Sequence, residues 1–144
     1  MRRLPARLCP RPRVLFVGIN PSLRSAAVGH HFAGLPAMRL ALTNICARPT
    51  RAAAELTPAE FAAGRVALAR LIARVKPDVV AFVGVTVYRA FFGPRVAPGA
   101  GPKPERIGNA RVFVVPNPSG LNAAYPGFAD KLIWFRRLKR FAAG

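Results

Sequence analysis

Two short segments hold the side chains through which this chain could do chemistry: Gly18-Ile19-Asn20-Pro21-Ser22 and Asn117-Pro118-Ser119-Gly120-Leu121-Asn122. Each follows a run of β-formers, Val14-Leu15-Phe16-Val17 and Val112-Phe113-Val114-Val115, and so reads as a loop at the carboxyl end of a buried strand. Open α/β sheets place their ligand sites at such ends. In the first loop Gly18 permits close backbone approach, Pro21 stiffens the exit, and Asn20 stands between them. A carboxamide can hold a water but cannot take its proton, and no acidic residue occurs within the motif. Chemistry here would rest on positioning rather than on general-base help. The pair His30-His31 invites a metal reading. Two adjacent residues on a loop, with no nearby carboxylate or cysteine, do not make a metal site, and no metal is expected.

The elements that must position these loops alternate between strand and helix. Residues 1–13 form a Pro/Arg-rich arm, and 14–144 a single domain. A first strand is predicted over Val14–Gly18. A short second strand follows at Thr43-Asn44-Ile45-Cys46, after a short helix around Pro36–Leu42. Thr57-Pro58-Ala59-Glu60 is a capping box with proline at the first helical position, so a helix starts there and runs to about Val75. Phe61, Leu68, Leu71, Ile72 and Val75 share its apolar face, with Arg65, Arg70 and Arg74 elsewhere. Pro77-Asp78 stops it and introduces the strand Val79–Val83, after which Gly84 turns into a short helix, Thr86–Phe92.

The Gly/Pro-rich span Gly93–Pro104 reads as a loop before the strand Arg111–Val115. After the second motif a helix is predicted over Phe128–Phe141, with Phe128, Leu132, Phe135 and Leu138 facing inward. Strands apolar throughout, alternating with helices, indicate an α/β fold. We expect three layers, α/β/α, on a short, mainly parallel four-stranded sheet.

Composition narrows the partner. The 144 residues are 52% hydrophobic with ten Phe, enough for a core in spite of 15 Pro. Against five acidic residues stand 23 Lys+Arg, a formal charge of +18, and most of these cations are arginine, suited to bidentate phosphate contact. Such a field favours a polyanion. Cys9 and Cys46 are too few for a disulfide framework, and no CxxC pair suggests zinc. The basic N-terminus lacks a signal-peptide core, and no run approaches the ~20 apolar residues of a membrane span. A cytoplasmic, nucleoid-associated protein without membrane contact is expected.

The two motifs, in this order, resemble those of the mismatch-specific uracil/thymine-DNA glycosylase family. The likeness extends through Leu42-Thr43-Asn44-Ile45-Cys46-Ala47-Arg48-Pro49-Thr50, Val79–Phe92 and the stretch from Lys103 to Tyr125, nearly all of Val14 to Phe141. The resemblance implies a uracil-DNA glycosylase-like fold and hydrolysis of the N-glycosidic bond of uracil in mismatched duplex DNA. It extends to thymine, ethenocytosine or other deaminated bases, and it implies base flipping as the start of base-excision repair.

By that resemblance Asn20 orients the catalytic water. Gly18, Ile19, Phe32, Asn44 and Asn117 form the base pocket, with backbone groups of Ile19 and Phe32 reading the base and the Phe32 ring stacking on it. Ser119 binds a phosphate, and Gly120-Leu121-Asn122 enters the stack with Leu121 filling the gap. Arg2, Arg3, Arg7, Arg11, Arg13 and Lys131 would face DNA. No cofactor is implied: two cysteines cannot hold the four-cysteine iron–sulfur cluster of other glycosylases. The partner would be double-stranded DNA with a G·U or similar mismatch, bound by a monomer.

The chain departs from that pattern in three places. It is short between Phe32 and Thr43, where relatives carry a longer helical segment. Ser22 stands where many have Gly, and Ala123 where an Arg often follows the wedge. The alternative reading is therefore a catalytically weak or inactive relative that binds mismatches or abasic sites. A nucleotide-binding α/β protein is disfavoured, because neither G-x-G-x-x-G nor G-x-x-x-x-G-K-[ST] occurs.

Overall fold

All five residues of Val14–Gly18 are buried, and they form the strand β1 at the centre of the molecule. The structure, a computed structural model, describes residues 11–19, 39–46, 48, 55–116 and 128–144. Within them follow β2 (Leu40–Asn44), α1 (Pro58–Val75), β3 (Val79–Val83), α2 (Val85–Phe92), β4 (Gly101–Ile107), β5 (Ala110–Val115) and α3 (Phe128–Ala143). The five strands make one sheet in the order β2-β1-β3-β5-β4. All neighbours pair in parallel except β4 and β5.

Strand alternation divides the core between two faces. Leu15, Val17, Val80, Phe82, Val112 and Val114 meet Leu68 and Ile72 of α1 and Val87 and Tyr88 of α2. Val14, Phe16, Ala81, Phe113 and Val115 form the other face, covered by Phe135, Leu138 and Ala142 of α3. The three layers expected from the sequence are thus present, and Phe61, Leu68, Leu71, Ile72 and Val75 of α1 all join one core. On α3, Trp134 and Phe141 add to the inward face. Trp134 lies so near Gly101 that a Cβ there would sit 3.2 Å from the indole, and Gly101 has φ +115°.

Two elements differ from expectation. Leu40–Asn44 is a strand, so the helix placed around Pro36–Leu42 gives way to β2, which begins and ends earlier than Thr43–Cys46. Leu40-Ala41-Leu42 pair with Val14-Leu15-Phe16, and this tertiary pairing overrides local preference. The span read as a loop to Pro104 contains β4, which makes the sheet five-stranded and mixed. Proline fits because β4 is an edge: exposed Pro102 and Pro104 alternate with half-buried Lys103 and Glu105. Tyr88 donates to the Glu105 carboxylate, and Lys103 Nζ donates to the Ala97 and Pro98 carbonyls, both at 3.1 Å. These bonds tie the edge strand to α2 and the loop before it. Burial and the Glu105 bond push the Tyr88 phenol well above its usual range.

The approach of α1 to the end of β2 admits no side chain at Gly64. A Cβ there would lie 1.9 Å from the Ile45 carbonyl oxygen. Gly64→Ala should therefore destabilise the fold by about 1–3 kcal/mol or more, although helix propensity alone favours alanine by up to ~1 kcal/mol. Urea unfolding checks this, with a lower midpoint expected at unchanged slope.

Candidate active site

Four parallel strands finish side by side at one edge. Gly18 is paired with Asn44, Val17 with Phe82, and Val83 with Val115. The ladder continues past the strands: the Ile45 N–H donates to the Gly18 carbonyl at 2.9 Å, and the Cys46 N–H to the Ile19 carbonyl at 2.8 Å. The Gly84 N–H likewise donates to the Val115 carbonyl at 2.8 Å. Among the described residues no group accepts from the Ile19 N–H. From β1 the chain order runs to β2 on one side and to β3 on the other, so β1 ends where strand order reverses. Such a reversal is where open sheets form ligand crevices.

The chain enters both motifs here, from Ile19 into Asn20 and from Pro116 into Asn117. Both β1 and β5 neighbour β3, so their ends lie about 10 Å apart, twice the strand spacing. By alternation Gly18, Asn44, Val83 and Val115 share the α3 face. The row below them, Leu42, Phe16, Ala81 and Phe113, is apolar. At the edge that row gives way to a half-buried carboxamide beside a residue with no side chain. Polar recognition next to a bare backbone is what a ligand-binding edge needs.

On the α1 side a hollow of about 330 Å³ is lined by Ile45, Cys46, Arg48, Glu60 and Gly64. Arg48 grips Glu60 bidentately, Nε to Oε2 and Nη2 to Oε1 both at 2.8 Å, and Nη2 also donates to the Glu55 carbonyl at 2.7 Å. Glu60 in turn closes the capping box, accepting from the Thr57 N–H while its own N–H donates to Thr57 Oγ1, each at 3.1 Å. The segment after β2 is thereby fastened to the start of α1. Arg48 and then Thr57 hold the Glu60 carboxyl down to about 2. Burial pushes the Cys46 thiol up, so it stays protonated and unreactive.

Of the expected site residues the structure places Gly18, Ile19 and Asn44 together at this edge. Lys131 falls near the start of α3. Asn20, Phe32, Asn117, Ser119, Gly120, Leu121 and Asn122 lie outside the described residues, as do Arg2, Arg3 and Arg7. Arg11 and Arg13 lie at the opposite end of β1 from the motifs. The Arg48–Glu60 pair is not foreshadowed in the sequence. The capping box identifies Glu60, but nothing local marks a partner at Arg48, well before the helix.

Known proteins bear on this edge. A family model described as "Uracil DNA glycosylase superfamily" matches residues 5–139. A protein of Schizosaccharomyces pombe named "G/U mismatch-specific uracil DNA glycosylase" is 28% identical over 169 aligned positions. That alignment takes in 93% of this chain and 52% of the relative, so the chain spans about half the relative's length.

The fastening of α1 has a pH signature. Because the Glu60 carboxyl is lowered in the fold, its stabilisation is complete above its ordinary value of 4.5 and fades as pH falls toward about 2. Glu60→Gln should therefore be less stable at neutral pH and lose less on acidification, the two curves converging near pH 2. Denaturation midpoints from pH 7 to 2 check this, and parallel curves would contradict it.

Proposed function

The chain belongs to the uracil DNA glycosylase superfamily, and from that premise we propose that it is a monofunctional DNA glycosylase. It hydrolyses the N-glycosidic bond of uracil opposite guanine in duplex DNA, with thymine, ethenocytosine and other deaminated bases as further candidates. What carries the reading is the convergence of both motif entrances on one sheet edge, at the strand-order reversal, two strands apart. The name of the S. pombe relative points to the same substrate.

In this proposal the target nucleotide leaves the stack and its base enters the crevice at the end of β1. Such flipping costs a few kcal/mol, and least at a mismatch. The N–H of Ile19 suits a uracil carbonyl, and Asn44 and Asn117 supply carboxamides to the polar edge of the base or to the sugar. Asn20 holds a water beneath C1′. The bond from C1′ to the base nitrogen breaks, the base departs with the electron pair, and the water oxygen bonds C1′. The water's proton leaves late, to the solvent or the departing base, because a carboxamide does not accept it. Ser119 grips a phosphate and Leu121 fills the vacated space, offsetting part of the flipping cost.

A duplex with a single G·U pair, incubated with the protein and treated with alkali, should be cut at the uracil. Asn20→Ala should lower that cleavage about 10²-fold or more while leaving duplex binding within a few-fold of wild type. Cutting by the variant at the wild-type rate refutes the mechanism. Tight binding to abasic DNA with no cleavage by wild type would select the inactive-relative reading. Leu121→Ala should slow excision from duplex more than from single-stranded DNA, where no stacked gap needs filling. Single-turnover rates on the two substrates measure this.

A further inference from the structure

A cleft of about 960 Å³ opens on the opposite, amino-terminal edge of the sheet. Arg13 precedes β1 there, Asp78 precedes β3, Arg111 lies near the start of β5, and Arg106 near the end of antiparallel β4. Lys76, closing α1, and Arg11 add to the lining. Arg111 is committed to the fold, donating to the Phe141 carbonyl at 2.7 Å with its guanidinium over that ring. Arg11, Arg13, Lys76 and Arg106 are exposed, and none is paired with a carboxylate among the described residues. Among the described residues Asp78 is the one acidic side chain in the lining. The carboxyl ends of α1 and α3 add about half a negative charge each, and the cations still prevail.

We propose that this edge is a second nucleic-acid surface, a track for the phosphodiester backbone of a DNA segment other than the one at the motif edge. Four observations favour a backbone over a single small anion. From Arg13 to Arg106 the cations cross the β1, β3, β5 and β4 positions, about 14 Å at ordinary strand spacing. That is the reach of about three successive phosphates of one strand, more than a single small anion covers. The cleft is open, and among the described residues no aromatic side chain lines it to stack a base. Finally, Arg11 and Lys76 are the non-glycine residues with positive φ, +46° and +52°, among those described. Both line this cleft, holding cations where glycine would relax the backbone.

The two edges lie about 17 Å apart, the length of a five-residue strand, and face opposite ways. One straight duplex does not span them, so the protein would bridge two segments and pass between them while searching.

Two measurements test this, on Lys76→Gly with Arg106→Gln, a pair outside the proposed active site. Lys76→Gly also suits its left-handed backbone, so folding is preserved. First, an undamaged duplex is titrated at several salt concentrations. The double variant should reduce the slope of log affinity against log salt by about 1.8, or 0.9 for each phosphate no longer neutralised. An unchanged slope overturns the proposal, and this arm does not depend on the glycosylase reading. Second, wild type loaded on an immobilised G·U duplex should capture a labelled undamaged duplex, and the double variant at least tenfold less, with G·U excision by the variant unchanged. Equal capture by the two proteins overturns it. So does displacement of the second duplex by millimolar inorganic phosphate at constant ionic strength, which would mark a small-anion pocket. Failed excision with intact capture would refute the glycosylase reading and leave this one standing.

Discussion

Every residue of β1 and β3 is buried, with apolar layers on both faces of the sheet, and the strands pair in parallel. The rest of the architecture depends on that double-sided burial. A parallel strand must be followed by a crossover of a dozen or more residues, so each such strand begins at one edge and finishes at the other. β2, β1, β3 and β5 therefore end together, and the chain leaves β1 and β5 at one edge although the two strands are far apart in sequence. Register is the sensitive quantity. A slip of one residue in β1 would carry Gly18 and Ile19 each to the other face, opening the α1 side of the core and filling the gap beside Asn44.

Double-sided burial also explains which parts were legible in the sequence. Val14–Gly18 and Val79–Val83 are continuous apolar runs, and the capping box at Thr57 marks the start of α1 by local hydrogen bonding alone. These elements carry their own signal. β2 does not: Leu40-Ala41-Leu42 suits helix or strand, and its partner β1 decides. β4 carries a contrary signal. Pro102 and Pro104 read as loop, yet at the rim of a sheet a missing N–H costs nothing and denies neighbouring chains a place to pair. Gly18, Ile19 and Asn44, expected in the base pocket by resemblance, lie together at one edge because each adjoins a strand end. The Arg48 grip on Glu60 and the amino-edge cleft were not legible in the sequence, because both join residues distant in sequence.

The distribution of charge follows a similar division of labour. With five acidic residues in the chain, carboxylates are scarce, and two of them are engaged in holding the fold: Glu60 by Arg48 and Thr57, Glu105 by Tyr88. Most of the described arginines lack such partners and project outward on several elements, among them Arg70, Arg74, Arg136 and Arg140. Self-repulsion at +18 is a standing cost to a compact domain, and neutralisation by a polyanion relieves it.

The same scarcity bears on the proposed chemistry. Residues 1–54 contain no Asp or Glu, nor do 106–129, so both motifs and the strands leading into them are free of carboxylates. A site built from such segments has no carboxylate to draw a proton from water early in the reaction. In the proposed reaction loss of the base would then run ahead of attack by water, and the rate would depend on how well the departing base carries negative charge. In the proposed reaction a main-chain N–H at the end of β1 would meet that charge without ionising. A fold that keeps its carboxylates for capping and edge-tying, and its ligand edge for amides and backbone N–H groups, is suited to expelling an anion from a polyanionic substrate.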